Sequence, residues 1–371
     1  MQRRKFLRRS AQAAASLYLP TLIGCSSSPE KALESATAKA KSNDAKKKLG
    51  VALLGLGGYS RGQLAPALQL TEYCELRGII TGTPAKIPVW QNKYNIPDAN
   101  VYNYDNMAEI ANNPAIDVIY VVTPTATHAR FAIAAANAGK HVWCEKPMAM
   151  TPEECKSIID ACNKNGVELT IGYRMQHEPN TQTVIEYANT LPYGSIQSIT
   201  AHSGYGGSIP RSGWRSEAKM GGGALYDMGV YAINALRYAS QQEPVSVLSA
   251  KREVPLDVDL TTTFELEFPG DFIAKGKTSV VENTNFLRIE AEKGWYELSP
   301  MQSYGGVVGQ TSDGTQLNKP IRNQQARQMD DDALAILNKK PLLVTGQEGM
   351  RDIRIVNAII ESSNTGKRVL I

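Results

Sequence analysis

The chain has 371 residues, enough for two domains, and its 42% hydrophobic and 20% charged content is that of a soluble globular protein. Net charge is only +4, with much of the positive excess before residue 50, so nucleic-acid binding has no electrostatic support. The five cysteines (25, 74, 144, 155 and 162) show no disulfide framework, and the four histidines (128, 141, 177 and 202) show no ligand spacing, so no metal is expected.

Met1 to Ile23 begins basic and continues as an apolar stretch from Ala11, the layout of a signal peptide. Pro20 and the short length argue against a membrane span. Arg3-Arg4-Lys5-Phe6-Leu7 resembles the twin-arginine export motif, and Leu22-Ile23-Gly24-Cys25 resembles a lipobox that would be lipidated at Cys25. A soluble periplasmic protein cut nearby is the other reading. Both predict a periplasmic location, with the membrane reached only through Cys25. Residues 26–48 are rich in Ser, Ala, Lys and Glu, lack a core pattern and read as a linker or weak helix.

From residue 49 to 174 apolar runs alternate with helical patterns, which predicts a doubly wound parallel sheet. Val51 to Leu54 leads into Gly55-Leu56-Gly57-Gly58-Tyr59-Ser60, a G-x-G-x-x-S turn. The first glycine permits the tight turn and the second lets backbone approach a pyrophosphate. A helix expected over about Gly62 to Leu70 would aim its positive end at the phosphates. Such a turn alone is also compatible with a purely structural role. The second strand, Leu76 to Ile80, is followed by Thr81-Gly82-Thr83-Pro84-Ala85-Lys86, which contains no carboxylate for a ribose 2′-hydroxyl. Thr81, Thr83 and Lys86 suit a 2′-phosphate, favouring NADP over NAD; a solvated Lys86 is the plain alternative.

Asn106 to Ala111 reads as helical, Val118 to Val122 as a buried strand and Ala129 to Ala138 as a helix. Between the last two, Thr123-Pro124-Thr125-Ala126-Thr127-His128 is placed to contact the cofactor's ribose or pyrophosphate. His128 also reads as a helix-start residue without chemistry. His141-Val142-Trp143 forms the next strand, ending in Cys144-Glu145-Lys146-Pro147, where open α/β sheets bind ligands. By itself Lys146 reads as a turn lysine. A helix over Pro152 to Asn163, with Cys155 and Cys162 on one packing face, and a strand over Glu168 to Ile171 complete the domain.

These pieces together resemble the Gfo/Idh/MocA oxidoreductase family. The carrying residues are Gly55-Leu56-Gly57, Thr123-Pro124 with His128, and Ala138-Gly139-Lys140-His141-Val142-Trp143-Cys144-Glu145-Lys146-Pro147-Met148. Gly172-Tyr173-Arg174, Trp214-Arg215, Gly221 to Tyr231 and Gly346 to Asp352 extend the match over about residues 49 to 371. Within the family the motifs are nearest the periplasmic glucose–fructose oxidoreductase branch. The resemblance implies Lys146 and Tyr231 as catalytic Lys and Tyr, with Asp227 as the nearby acidic residue. It implies a Lys146–Pro147 bond that is often cis. It adds Glu145, Lys146 and Arg174 to the cofactor site, with Trp214 and Arg215 against nicotinamide or sugar. Tyr173, Tyr205 and the departing stretches Gln176-His177-Glu178 and Gly204 to Arg211 are expected along the sugar site.

Residues 175–371 change character. Ser195 to Ser203, Val245 to Glu253, Thr261 to Phe268, Asp271 to Val281, Phe286 to Glu292 and Gly294 to Leu298 alternate as antiparallel strands do. An α+β domain with one large, open, mostly antiparallel sheet is predicted, with a face for a dimer or tetramer. Asp330 to Asn338 and Gly349 to Asn364 read as its C-terminal helices. Gly221 to Tyr231 is a glycine run entering a helix, with Asp227 and Tyr231 one turn apart.

Oxidising a carbinol removes a proton while hydride leaves carbon. A free Tyr, with pKa about 10, is a poor base at neutral pH, so a nearby ammonium is needed. Tyr231 is the expected acid/base and Lys146 its partner and a donor to a carbohydrate substrate. Export in folded form suits a non-dissociating cofactor recycled between two sugars. A glycosidase using transient NAD oxidation, a C3 glycoside dehydrogenase and an inactive sugar-binding lipoprotein remain open.

Overall fold

The chain is seen in a computed structural model that describes residues 48–207, 212–270 and 272–371. The expected export motif, Cys25, most of the linker and residues 208–211 of the expected sugar-site stretch lie outside these residues.

β1 (Leu49–Leu54), β2 (Cys74–Ile80), β3 (Val101–Tyr102), β4 (Val118–Val121), β5 (His141–Cys144) and β6 (Leu169–Ile171) form one sheet. Their order is β3-β2-β1-β4-β5-β6, all parallel. The strands are apolar on both faces because helices cover both: all of Val118, Ile119, Tyr120 and Val121 are solvent-free. The order reverses between β1 and β4, which opens a crevice at their C-terminal ends. The helix Pro152–Asn165 shows how local chemistry sets its limits. Thr151 Oγ1 accepts from Glu154 N at 3.2 Å, Pro152 opens it, and Gly166 closes it in the left-handed region.

The second sheet contains β7 (Ile196–Gly204), β8 (Ser246–Glu253), β9 (Thr261–Glu267), β10 (Ile273–Ser279), β11 (Thr284–Ala291), β12 (Gly294–Leu298), β13 (Gly309–Thr311), β14 (Gln316–Leu317) and β15 (Val369–Leu370). Its order is β14-β13-β12-β11-β7-β10-β9-β8-β15, antiparallel except for the pair β7 and β10. Ile199 and Ala201 on β7 and Leu287 and Ile289 on β11 are buried on the face that meets the helix Val230–Ser240. The alternate residues Thr200, His202, Arg288 and Trp295 are half-buried on the other face. The two predicted layers are therefore present, as an α/β fold with a parallel and a mostly antiparallel sheet.

Several elements differ from the sequence expectation. The helix expected over Gly62 to Leu70 is a π-turn, Ser60–Leu64, running into Ala65–Ala67 and ending in a turn. The helix at Pro179–Thr190, capped by Glu178 and opened by a proline, was not expected, and the short strands β3, β13, β14 and β15 carried no sequence signal long enough to read. The helix expected from Asp330 begins at Gln324, capped by Asn323, whose Oδ1 accepts from Ala326 N at 2.8 Å. This helix, Gln324–Leu337, crosses back to the first sheet. Its Ala326, Met329 and Ala333 share a core cluster with Val51, Leu53, Tyr120 and Trp143. Burial of a large apolar side chain such as Met329 stabilises by about 1.5–3 kcal/mol, so this seam holds the returning helix against the first sheet.

Candidate active site

A cavity of about 800 Å³ opens at the C-terminal ends of β1, β4 and β5 and is closed by residues from the loops and helix of the second domain. Its floor is the turn after β1. Gly55 has φ +96, and a Cβ there would stand 2.5 Å from Val122 O, so only glycine permits the turn against β4. Ser60 takes the third small position: its Oγ donates to Gly55 O at 2.5 Å and closes the turn from beneath. A Cβ at Gly57 or Gly58 would meet nothing within 4 Å, so this backbone faces open space. Gly55, Leu56, Gly57, Gly58 and Tyr59 all line the cavity. A bare backbone turn feeding a helical segment is the cradle a dinucleotide's pyrophosphate requires, and the residues present fit such a group.

Thr81, Thr83 and Lys86 form the wall beyond β2. No carboxylate stands among residues 81 to 86, and Lys86 Nζ donates to Leu56 O at 2.9 Å, which places a cation beside the turn. Thr123, Pro124, Thr125 and His128 line the adjoining edge. His128 is buried between two carbonyls, Nδ1 at 2.8 Å from Pro147 O and Nε2 at 2.7 Å from Thr123 O. It thereby clips the loop after β4 to the loop after β5. Burial holds its pKa below the ordinary value, against the pull of the two carbonyls.

The loop after β5 supplies Glu145 and Lys146, and the Lys146–Pro147 bond is cis. Glu145 is buried; its Oε1 accepts from Tyr120 Oη at 2.7 Å and its Oε2 from Lys146 N at 3.2 Å. Burial raises its pKa, with Lys146, Tyr120 and Arg174 opposing. Lys146 Nζ donates to Asp227 O at 2.8 Å, stands 3.8 Å from Asp227 Oδ1 and lies 4.6 Å from the centre of the Tyr231 ring. Asp227 in turn accepts from Arg215 Nε at 2.7 Å, and the Arg215 guanidinium stacks on Trp214 at 4.3 Å.

Asp227 sits in a π-turn, Leu225–Gly229, before the helix Val230–Ser240 that carries Tyr231. Regular α-helix was expected there; the wider turn still leaves both side chains at the cavity. Its start is held by Asp259, which is buried. Asp259 Oδ2 accepts from Leu225 N at 2.9 Å and Thr262 Oγ1 at 2.7 Å. Gly223, at φ +96, lets this carboxylate approach: a Cβ would be 2.3 Å from Asp259 Oδ1.

Arg174 is 1% exposed, and its Nη1 donates to Tyr231 Oη at 2.6 Å. Tyr205, Trp214 and Arg215 also reach the cavity. Tyr173 and His177 do not, contrary to expectation. Tyr173 is buried edge-on behind Tyr231, with ring centres 6.5 Å apart, and burial pushes its phenol pKa up. His177 is turned away toward Asp331, with Nδ1 3.0 Å from Oδ2. Its neighbours are equally engaged: Gln176 donates to Asn234, and Glu178 caps the helix Pro179–Thr190. Sequence reading missed Gln302, Ser303 and Tyr304, which close the cavity from the loop after β12. That loop has no period and no motif; an aromatic beside two glycines was the one available hint.

Comparison with known proteins agrees with this site. Residues 49–173 match the Gfo/Idh/MocA oxidoreductase family, NAD-binding Rossmann fold, and residues 182–297 match the Gfo/Idh/MocA C-terminal domain. The crystal structure of an aldose–aldose oxidoreductase from Caulobacter crescentus, complexed with glycerol, is 33% identical. It covers 88% of this chain and 100% of its own, with a TM-score of 0.83. The chain belongs to the Gfo/Idh/MocA family. Among curated Gfo/Idh/MocA relatives, the D-xylose 1-dehydrogenase (NADP+) of Haloarcula marismortui is 25% identical over 86% of this chain and 92% of its own. The D-glucoside 3-dehydrogenase of Escherichia coli is 24% identical over 86% of this chain and 97% of its own.

Proposed function

We propose that this Gfo/Idh/MocA protein is an NAD(P)-dependent oxidoreductase acting on a CH–OH group of a sugar or polyol. The observation that carries the reading is the meeting of Lys146, from the end of β5, with Asp227 and Tyr231 from the second domain, in the cavity that holds the glycine turn. The turn at Gly55 to Tyr59 would hold the pyrophosphate, and the nicotinamide, when bound, supplies the hydride acceptor. Tyr231 takes the hydroxyl proton in oxidation and returns it in reduction. Lys146 orients the hydroxyl, and Asp227, tied to Arg215, holds Lys146 in place. Tyr205, Trp214 and Tyr304 offer aromatic faces at the mouth for the apolar side of a sugar ring.

NADP is the preferred nucleotide in this reading, supported by the absence of a carboxylate from residues 81 to 86 and by Lys86 beside the turn. The N-terminal Arg3-Arg4 and Cys25 motifs support export by the twin-arginine route to the periplasm, with lipidation at Cys25. Free nicotinamide nucleotide is scarce outside the inner membrane, so a nucleotide held by the glycine turn would stay bound, and two carbohydrates would exchange hydride in ping-pong fashion at one site. The half-exposed face of the second sheet, with Thr200, His202, Arg288 and Trp295, is the surface for a homo-oligomer.

The test is mass spectrometry of nucleotide released by denaturing the purified protein, followed by titration of the intact protein with sugars. Retained NADP, a reduced-nicotinamide band that rises with one sugar, and its decay with a second sugar are expected. Protein free of nucleotide overturns the non-dissociating cofactor. Cleavage of chromogenic glycosides without a net change in the band points to the hydrolase instead.

A further inference from the structure

Arg174 is buried at the meeting point of both domains, and among the described residues its guanidinium has only neutral acceptors. Nε donates to Gln324 Oε1 at 3.0 Å, Nη1 to Tyr231 Oη at 2.6 Å and Nη2 to Gln302 Oε1 at 3.1 Å. Its plane also lies 4.7 Å from the Tyr304 ring centre. Glu145 acts on it only through space. A buried cation without a contacting anion is costly unless negative charge arrives there. An ionised Tyr231 oxygen is where that charge would stand. Lys146 is placed differently: its ammonium lies over the Tyr231 ring and donates to Asp227 O, with its side chain 12% exposed toward the cavity.

Building on the reading of Tyr231 as acid/base, we propose that Arg174 is a catalytic residue whose guanidinium holds the negative charge of the Tyr231 oxygen, leaving Lys146 to the substrate hydroxyl. During oxidation the substrate O–H bond breaks and its proton joins the Tyr231 oxygen. The carbinol C–H bond would break with its electron pair passing to a nicotinamide held at the glycine turn, and the carbonyl would form. Arg174 keeps every proton throughout, which a guanidinium does where an ammonium in the same place could lose one. The charge-assisted bond is strongest when Tyr231 is ionised, so its effect falls on the proton transfer rather than on nucleotide binding.

Lys146, Asp227 with Arg215, Glu145, Tyr59, Tyr173 and Tyr304 also face this pair. All remain when Arg174 alone is replaced. The experiment compares wild type, Arg174→Gln, Arg174→Lys and Tyr231→Phe, each with its copurified nucleotide. It reads the pH profile of single-turnover hydride transfer and the ultraviolet titration of tyrosinate, with Tyr231→Phe subtracted. In Arg174→Gln the acid limb of the profile and the Tyr231 tyrosinate signal both move to higher pH. The rate near neutrality falls about tenfold or more, the size of a lost charge-assisted bond, and Arg174→Lys recovers part of it. If Arg174→Gln does not fold, Arg174→Lys shows the same shifts in smaller measure. Unmoved limbs and tyrosinate signals, with only nucleotide retention lost, make Arg174 a cofactor anchor and overturn the proposal. Undiminished turnover in Tyr231→Phe overturns the acid/base reading itself, without recourse to any Arg174 variant.

Discussion

The Lys146 ammonium lies 4.6 Å from the centre of the Tyr231 ring, although the lysine follows a strand of the first sheet and the tyrosine lies in the first turn of a helix packed on the second. Neither domain alone contains the constellation. Its geometry depends on the docking of the two layers, bridged by the helix Gly346–Thr365 that packs on both β6 and β8, and on the π-turn that carries Asp227.

Replacing Tyr231 by Phe removes the hydroxyl while keeping the ring against Lys146 and Tyr173. Turnover with an oxidisable sugar should fall about 10²- to 10⁴-fold, the usual share of a positioned acid/base, with sugar affinity changed far less. Rapid-mixing absorbance at the reduced-nicotinamide band measures the first and equilibrium titration the second.

Lys86 bears on nucleotide choice. Its ammonium sits on Leu56 O at the edge of the cavity, within a segment that has no carboxylate. Lys86→Glu should reverse the preference, lowering the ratio of NADP to NAD that copurifies by about 10- to 100-fold. An unchanged ratio assigns the preference to other residues.

Asp259 carries a stability prediction. Asp259→Ala strands the buried donors Leu225 N and Thr262 Oγ1, each at about 1–3 kcal/mol. Urea unfolding should show a loss of at least about 2 kcal/mol, accompanied by loss of turnover, because the turn before Tyr231 is released. Gly223→Ala should do the same from the other side, since its φ of +96 and the 2.3 Å approach to Asp259 Oδ1 leave no room for a methyl group.

Asp332 makes stability depend on pH. Burial raises its pKa from 3.8 to about 6, with His177, Thr170 and Gln328 pulling it down and Asp331 pushing it up. The folded protein thus binds this proton more tightly than the unfolded chain. The resulting stability is present in full below about pH 4 and is lost as pH rises through about 6. The amount is about 3 kcal/mol at most. Asp332→Asn holds the neutral form, so the variant should gain on wild type in urea unfolding as pH is raised from about 4 to 7. A gap that stays constant over that range would exclude Asp332 as the source.

Local chemistry along the chain was sufficient for the glycine turn at Gly55, the position of Lys146 just beyond a strand and the placing of Asp227 and Tyr231 about one turn apart, although not for the π-turn that separates them. A tight turn, a strand end and a helix face are each decided by a few neighbouring residues, so their signals survive in the linear order. The two layers followed for the same reason, since parallel strands buried on both faces read as apolar runs and the second sheet reads as alternation. Long-range contacts left no such trace. The outward turn of His177, the bond from Arg174 to Tyr231, the clasp of Asp259 and the closure by Gln302 to Tyr304 each join residues from distant segments. Which of many polar side chains meet is set by how helices and sheets pack, and packing is a property of the whole interior. Arg174 shows the difference most clearly: its place beside the glycine-turn domain could be read from its neighbours, but its partner could not.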